Sequence, residues 1–102
     1  MGWEYFAALG EAGAAMLPQA AATAAESLGM TMLSRDERQV VLRWSPSAAG
    51  APFEPDLWVY AHEGGCMVTF HVFSGLQREQ FLAVLARNLS DALGEDVRFE
   101  DA

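Results

Sequence analysis

Three side chains able to bind a metal or take part in covalent chemistry, His62, Cys66 and His71, fall inside one stretch, LWVYAHEGGCMVTFHVF from Leu57 to Phe73, with Glu63 beside the first. Nucleophilic catalysis would need the Cys66 thiol next to a histidine base that a third group orients. A metal centre would need several of these side chains to converge on one ion at bonds of about 2 Å. Which chemistry is open to them depends on how the backbone presents them.

The stretch reads as a β-hairpin. Two runs rich in β-branched and aromatic residues flank Gly64-Gly65, a pair able to take the positive φ angles of a tight turn. With those glycines as the loop, Glu63 faces Cys66, and Ala61–Val68, Val59–Phe70 and Leu57–Val72 pair on the same face. The other face carries His62–Met67, Tyr60–Thr69 and Trp58–His71. The first face is apolar above the turn and must be core. The second is aromatic and amphipathic. In this register the two histidines are four rows apart, roughly 13 Å at 3.4 Å per residue, too far to share an ion, and Cys66 points the opposite way. A lone cysteine on a core-facing position behaves as a small hydrophobe. The chain is therefore expected to be no enzyme and to hold neither metal nor cofactor. The remaining carboxylate pairs, Asp36-Glu37 and Glu95-Asp96, occupy turn and helix-end positions and oppose no base.

The elements around this hairpin follow from periodicity. Phe6, Leu9, Gly13, Met16 or Leu17, Ala20, Ala24 and Leu28 recur at three- and four-residue steps, predicting a helix over 3–28 with Gly29 as its stop and a kink or restart at Pro18. Met30–Ser34 and Gln39–Trp44 form a second hairpin around the polar tip Arg35-Asp36-Glu37-Arg38. The Pro-rich segment Ser45–Asp56 reads as a long exposed loop, with Phe53 in its middle. Ser74 and Gln77 match a capping box. They open a helix to about Leu93, with Phe81, Leu85 and Leu89 inward, Arg78, Glu79, Arg87 and Asp91 in water, and Gly94 as its stop. Asp96–Glu100 reads as a short last strand at an edge. The order is α-β-β-β-β-α-β: one α+β domain over 1–102, a two-layer sandwich with an antiparallel sheet of four to five strands and both helices on one face.

Composition narrows the partners. The net charge is −8, and the six arginines are scattered, whereas binding a phosphate backbone requires clustered cations. Nucleic acid and anionic membranes are excluded on that ground. A basic protein partner would be drawn in by the same field. With one cysteine no internal disulfide can form, and a reducing compartment is the simpler home. The first positive side chain is Arg35, so no signal peptide is expected, and the uncharged run Ala12–Ala25 is too short to span a bilayer. A cytoplasmic protein is the expectation. The absence of lysine and isoleucine, with much alanine, fits a GC-rich bacterial genome.

What remains is a surface. Trp58, Tyr60, His62, Met67, Thr69, His71 and Phe73 share the outer face of the hairpin, and Trp3 and Tyr5 are expected to extend it. Glu54, Asp56, Glu63, Glu95 and Asp96 would form an acidic rim. Aromatic residues with polar handles are the commonest anchors of protein interfaces. The leading expectation is a non-enzymatic bacterial protein-binding domain, an acidic immunity or inhibitor protein that occludes a toxin or effector. A secretion chaperone is the second expectation. The third is a small-molecule binder, compatible with a homodimer, that uses the aromatic face as a pocket wall with His62 or His71 supplying a polar contact.

Overall fold

In the computed structural model, which describes residues 3–44, 56–71 and 75–101, the chain runs β1 (Trp3–Ala8), α1 (Glu11–Ser27), β2 (Thr31–Arg35), β3 (Gln39–Arg43), β4 (Leu57–His62), β5 (Gly65–Phe70), α2 (Gly75–Leu93) and β6 (Glu100–Asp101). The six strands form one sheet in the order β2-β3-β4-β5-β1-β6, and every neighbouring pair is antiparallel. Strands β2 to β5 follow one another as a meander. The first strand is then laid against β5, so α1 crosses the meander to begin β2, while α2 crosses β1 to reach β6. The fold is the expected two-layer α+β sandwich, with six strands instead of four to five.

The extra strand is the largest departure from the sequence reading. Residues 3–8 are a strand and not the start of the helix, because Tyr5 and Ala7 alternate with Glu4, Phe6 and Ala8 at the two-residue period of a pleat. Helix α1 begins only after Gly10, whose extended backbone (φ −79°, ψ −176°) makes the corner. Pro18 sits in the middle of α1 without interrupting it. The end of α1 is as expected: Gly29 takes φ 69°, its N–H bonds Glu26 O at 3.3 Å, and Met30 N–H bonds Ala25 O at 2.8 Å. That is the Schellman closure glycine makes possible. Gly94 (φ 71°) closes α2 by donating to Ser90 O at 2.8 Å. The tip of the β2–β3 hairpin is held by Asp36 Oδ1, which accepts the N–H groups of Arg38 (2.7 Å) and Gln39 (2.9 Å). The last strand is shorter than expected. Residues 96–99 are not in the sheet, and only Glu100–Asp101 pair with Tyr5 and Phe6, at the sheet's edge.

The core lies between the sheet and the helices. Val40, Leu42, Leu57, Val59, Val68 and Phe70 are fully buried from the sheet side, against Leu17, Ala21 and Ala24 of α1 and Phe81, Leu85 and Leu89 of α2. The small side chains of α1 suit close packing: a Cβ on Gly13 would lie 2.8 Å from Leu9 Cβ and 3.2 Å from Leu93 Cδ1. Asn88 Nδ2 donates to Ala20 O at 3.3 Å and ties the two helices together. Arg78, assigned to water by the sequence pattern, is half-buried. Its guanidinium carbon lies 4.0 Å over the Trp3 ring, and Nε donates to Tyr5 Oη at 3.3 Å. The capping residue Ser74 lies outside the described residues.

The central hairpin keeps its two faces but not its turn. Observed pairs are Leu57–Phe70, Trp58–Thr69, Val59–Val68, Tyr60–Met67, Ala61–Cys66 and His62–Gly65. The loop is Glu63-Gly64, with the positive φ (75°) on Gly64 alone, the pattern of a type II turn. Because the pairing slips by two residues, each side chain stays on its expected face. Gly65 belongs to the strand for a reason beyond the hairpin: a Cβ there would stand 2.0 Å from Ala7 O and 2.9 Å from Phe6 Cζ. Replacing Gly65 by Ala is expected to lower stability by about 1–3 kcal/mol or more through overpacking. Gly75→Ala, with nothing nearer than Arg78 Nη2 at 3.8 Å, should stay within about 0.5 kcal/mol. Urea titration of the two variants tests the pair.

Candidate functional site

On the side of the sheet away from both helices, the strand register aligns two rows of side chains. One runs Val41, Trp58, Thr69, Glu4; the other runs Gln39, Tyr60, Met67, Phe6, Glu100. With strands about 4.8 Å apart, the longer row spans about 19 Å across five strands. Its middle is apolar and its β1–β6 end is acidic. Met67 (9% exposed) and Val41 (8%) are packed among half-buried Trp58, Tyr60 and Phe6. His62 is exposed at the turn end, its ring edge-to-face with Phe6 (6.3 Å) and Tyr60 (6.4 Å). The Thr69 hydroxyl is buried on this face without a hydrogen-bond partner, an arrangement that costs about 1–3 kcal/mol.

Six of the residues expected here are therefore accounted for in place: Trp58, Tyr60, Met67 and Thr69 in the rows, His62 and Glu63 at the exposed turn. His71 is exposed but lies past the end of β5, where its N–H bonds Asp56 O at 2.8 Å. That sets it six rows from His62, about 20 Å at 3.4 Å per residue, and not four. Trp3 and Tyr5 do not join the surface. They sit on the helix side of β1, where Tyr5 packs edge-on to Phe70 at 5.8 Å and both residues meet Arg78. Phe6, read as part of a helix stripe, takes their place on the outer face. The two-residue period of β1 is the signal that would have found it.

The acidic rim is also redrawn. Asp56 is not a rim carboxylate: it is half-buried, and Oδ2 accepts the Trp44 N–H at 2.8 Å while its own N–H bonds Leu42 O at 2.9 Å. It fastens the start of β4 to the end of β3. Glu54, with Phe53 and Phe73, lies outside the described residues. The carboxylates that the register does bring to this face are Glu4 and Glu100, with Glu63 at the turn.

Cys66 lies on the core side between Ala7 and Ala61, fully buried, and faces away from His62. Thiol, histidine and Glu63 are therefore not assembled into one site. Desolvation pushes the thiol up from 9.0 to about 12, against a smaller opposing effect of the Ala7 backbone hydrogen bond. Among the described residues no three of His, Cys, Asp and Glu gather where they would hold an ion. An open cleft of about 820 Å³ lies elsewhere, between α1 and the β2–β3 tip, and touches neither Trp58 nor either histidine. Among the described residues no helix is long and apolar enough to cross a membrane.

The chain matches no known protein-family model, no curated protein and no solved structure. What it is has to be argued from the fold, a one-sided six-stranded α+β sandwich, and from the face that its helices leave alone.

Two measurements check this geometry. Cys66 in the native protein should resist iodoacetamide at pH 8 and react only on unfolding. Because the folded thiol holds its proton to about 12 and the unfolded one only to about 9.0, the unfolded state gains thiolate first as pH rises. The stabilisation is complete below about pH 9 and is lost toward pH 12; Cys66→Ala should remove that part of the pH dependence. Separately, Asp56→Ala leaves the Trp44 N–H without its acceptor and should cost about 1–3 kcal/mol, read by thermal unfolding.

Proposed function

We propose that this chain is a non-enzymatic bacterial protein-binding domain, working in the cytoplasm, that docks a basic partner protein on the outer face of its sheet. The observation that carries the reading is the composition of that face. Neither helix packs on it, its centre is aromatic and apolar, and Glu4, Glu63 and Glu100 stand at its margins. Large rings and a methionine give contact area at little entropic cost, and Tyr60 and Trp58 each add a polar handle. The net charge of −8 supports long-range attraction of a cationic partner, which sets the encounter rate more than the final affinity. An inhibitor of the immunity type, which covers the working surface of a basic toxin or effector, fits both features. Asp56 is left out of the contact set because its carboxylate is already engaged in holding β4 to β3.

The test is binding by face. Tyr60→Ala/Trp58→Ala should abolish capture of a stoichiometric protein partner from the native host, with circular dichroism unchanged. Arg87→Ala/Asp91→Ala, on the exposed side of α2, should leave it intact. With the partner in hand, Glu4→Gln/Glu63→Gln/Glu100→Gln should slow association about tenfold or more at low salt and flatten its salt dependence. Equal binding by both face variants would reject the reading.

A further inference from the structure

The corner of the outer face where β1 meets β6 places an aromatic ring between two carboxylates. Glu100 stands opposite Phe6 across the β1–β6 ladder, and Glu4 lies two residues from Phe6 on the same face of β1. Glu4 and Glu100 are thus diagonal neighbours, about 7–8 Å apart at the backbone, so both side chains can reach one cation. Both are exposed. The Phe6 ring between them is half-buried. It leans over Gly65, where a Cβ would stand 2.9 Å from Phe6 Cζ, and meets the His62 ring at 6.3 Å. Met67 fills the next place in the row.

No nearby cation cancels this charge. Among the described residues of β1, β5, β6 and the link 96–99, Arg98 is the one arginine, and its Nε donates to Asp96 Oδ2 at 2.7 Å. With that pair included, the corner holds three acids (Glu4, Asp96, Glu100) against one base. Asp101 adds nothing to the count, because its register with Tyr5 puts it on the other face. Arg43 shares the outer face but belongs to β3, three strands from β1, or about 14 Å. Arg38 is at the β2–β3 tip, equally remote. The opposite face of β1 shows how such a strand holds a guanidinium: Arg78 lies 4.0 Å over the Trp3 ring and donates to Tyr5 Oη.

We propose that this corner seats one arginine side chain of the partner protein, its guanidinium against the Phe6 ring and between Glu4 and Glu100, its aliphatic stem along Met67. The inference rests on the reading of the outer face as a docking surface, and names the chemistry of one anchor on it. A ring with acids on two sides suits arginine better than lysine. The planar guanidinium stacks on an aromatic face while its fork of N–H groups serves two carboxylates, and it gives up water more readily than an ammonium does. The stem needs an apolar floor, which Met67 supplies.

The probe is Nα-acetylarginine N-methylamide, titrated into the full chain at fixed ionic strength and followed by NMR of the Phe6 and His62 rings and the Met67 methyl. Its neutral isostere, the citrulline derivative, and the lysine derivative are the comparisons. The arginine derivative should shift these signals saturably and bind about tenfold or more tightly than citrulline, a difference of about 1.4 kcal/mol or more, with lysine between them. Glu4→Gln/Glu100→Gln should abolish that preference. Glu26→Gln/Glu37→Gln, which removes the same charge at exposed positions elsewhere, should leave it intact. No shift at tens of millimolar, equal binding of citrulline or lysine, or shifts centred elsewhere overturns the proposal. So does a chain that sediments as a dimer with Phe6 covered before any probe is added, which would assign the corner to a second copy. A partner lost on Tyr60→Ala/Trp58→Ala yet held at unchanged affinity by Glu4→Gln/Glu100→Gln overturns the arginine seat and leaves the docking face standing.

Discussion

Phe70 is the residue on which the two layers meet. Its ring stands edge-on to Tyr5 of β1 at 5.8 Å and to Phe81 of α2 at 6.0 Å, while its backbone pairs with Leu57 on one side and Trp3 on the other. Three separate segments of the chain are thereby held at one buried residue, two by its ring and one by its backbone. Aromatic pairs in this geometry add about 0.5–1.5 kcal/mol beyond the area they bury. The gain in order is as important. Once Phe70 faces the helices, the alternation of β5 commits Met67 and Thr69 to the other side, and the outer face is defined by the same stroke.

The insertion of β1 next to β5 has a steric condition, met at Gly65. A side chain at that position would run into the carbonyl of Ala7, so the hairpin can accept a neighbour there only with glycine. The Leu9 N–H then bonds Gly64 O at 3.0 Å and carries the chain past the turn. The close approach also lets Phe6 reach His62 across the outer face. The outer face is thus built from strands distant in the chain, β1 and β4, brought together through the central β5.

Charge is distributed unevenly over this scaffold. Carboxylates border the outer face at the β1–β6 end, while at the opposite edge, around the β2–β3 tip, Arg35 and Arg38 flank Asp36 and Glu37. Arg78 is withdrawn from solvent to lie on Trp3, where the contact with the ring compensates its partial burial.

Much of this was legible from residue order alone. Period-2 alternation set which side of β4 and β5 is core, and the slip of two residues in their pairing left that unchanged, because the pleat repeats every two residues. The stripe Phe81, Leu85, Leu89 and the stops at Gly29 and Gly94 were equally plain, since helical period and positive φ are local properties. Three matters were decided only by the tertiary structure. Trp3–Ala8 became a strand because β5 had an open side to pair with; its two-residue alternation is visible in the sequence, but six residues also fit the helical stripe that continues into α1. Gly65 was drawn into β5 by the backbone of Ala7, a neighbour on the far side of the whole meander in sequence. Asp56 turned inward to Trp44 because the end of β3 needed an acceptor there. Local order determines faces and ends; the choice of neighbours belongs to the assembled sheet, because pairing energy depends on strands that the local sequence cannot see.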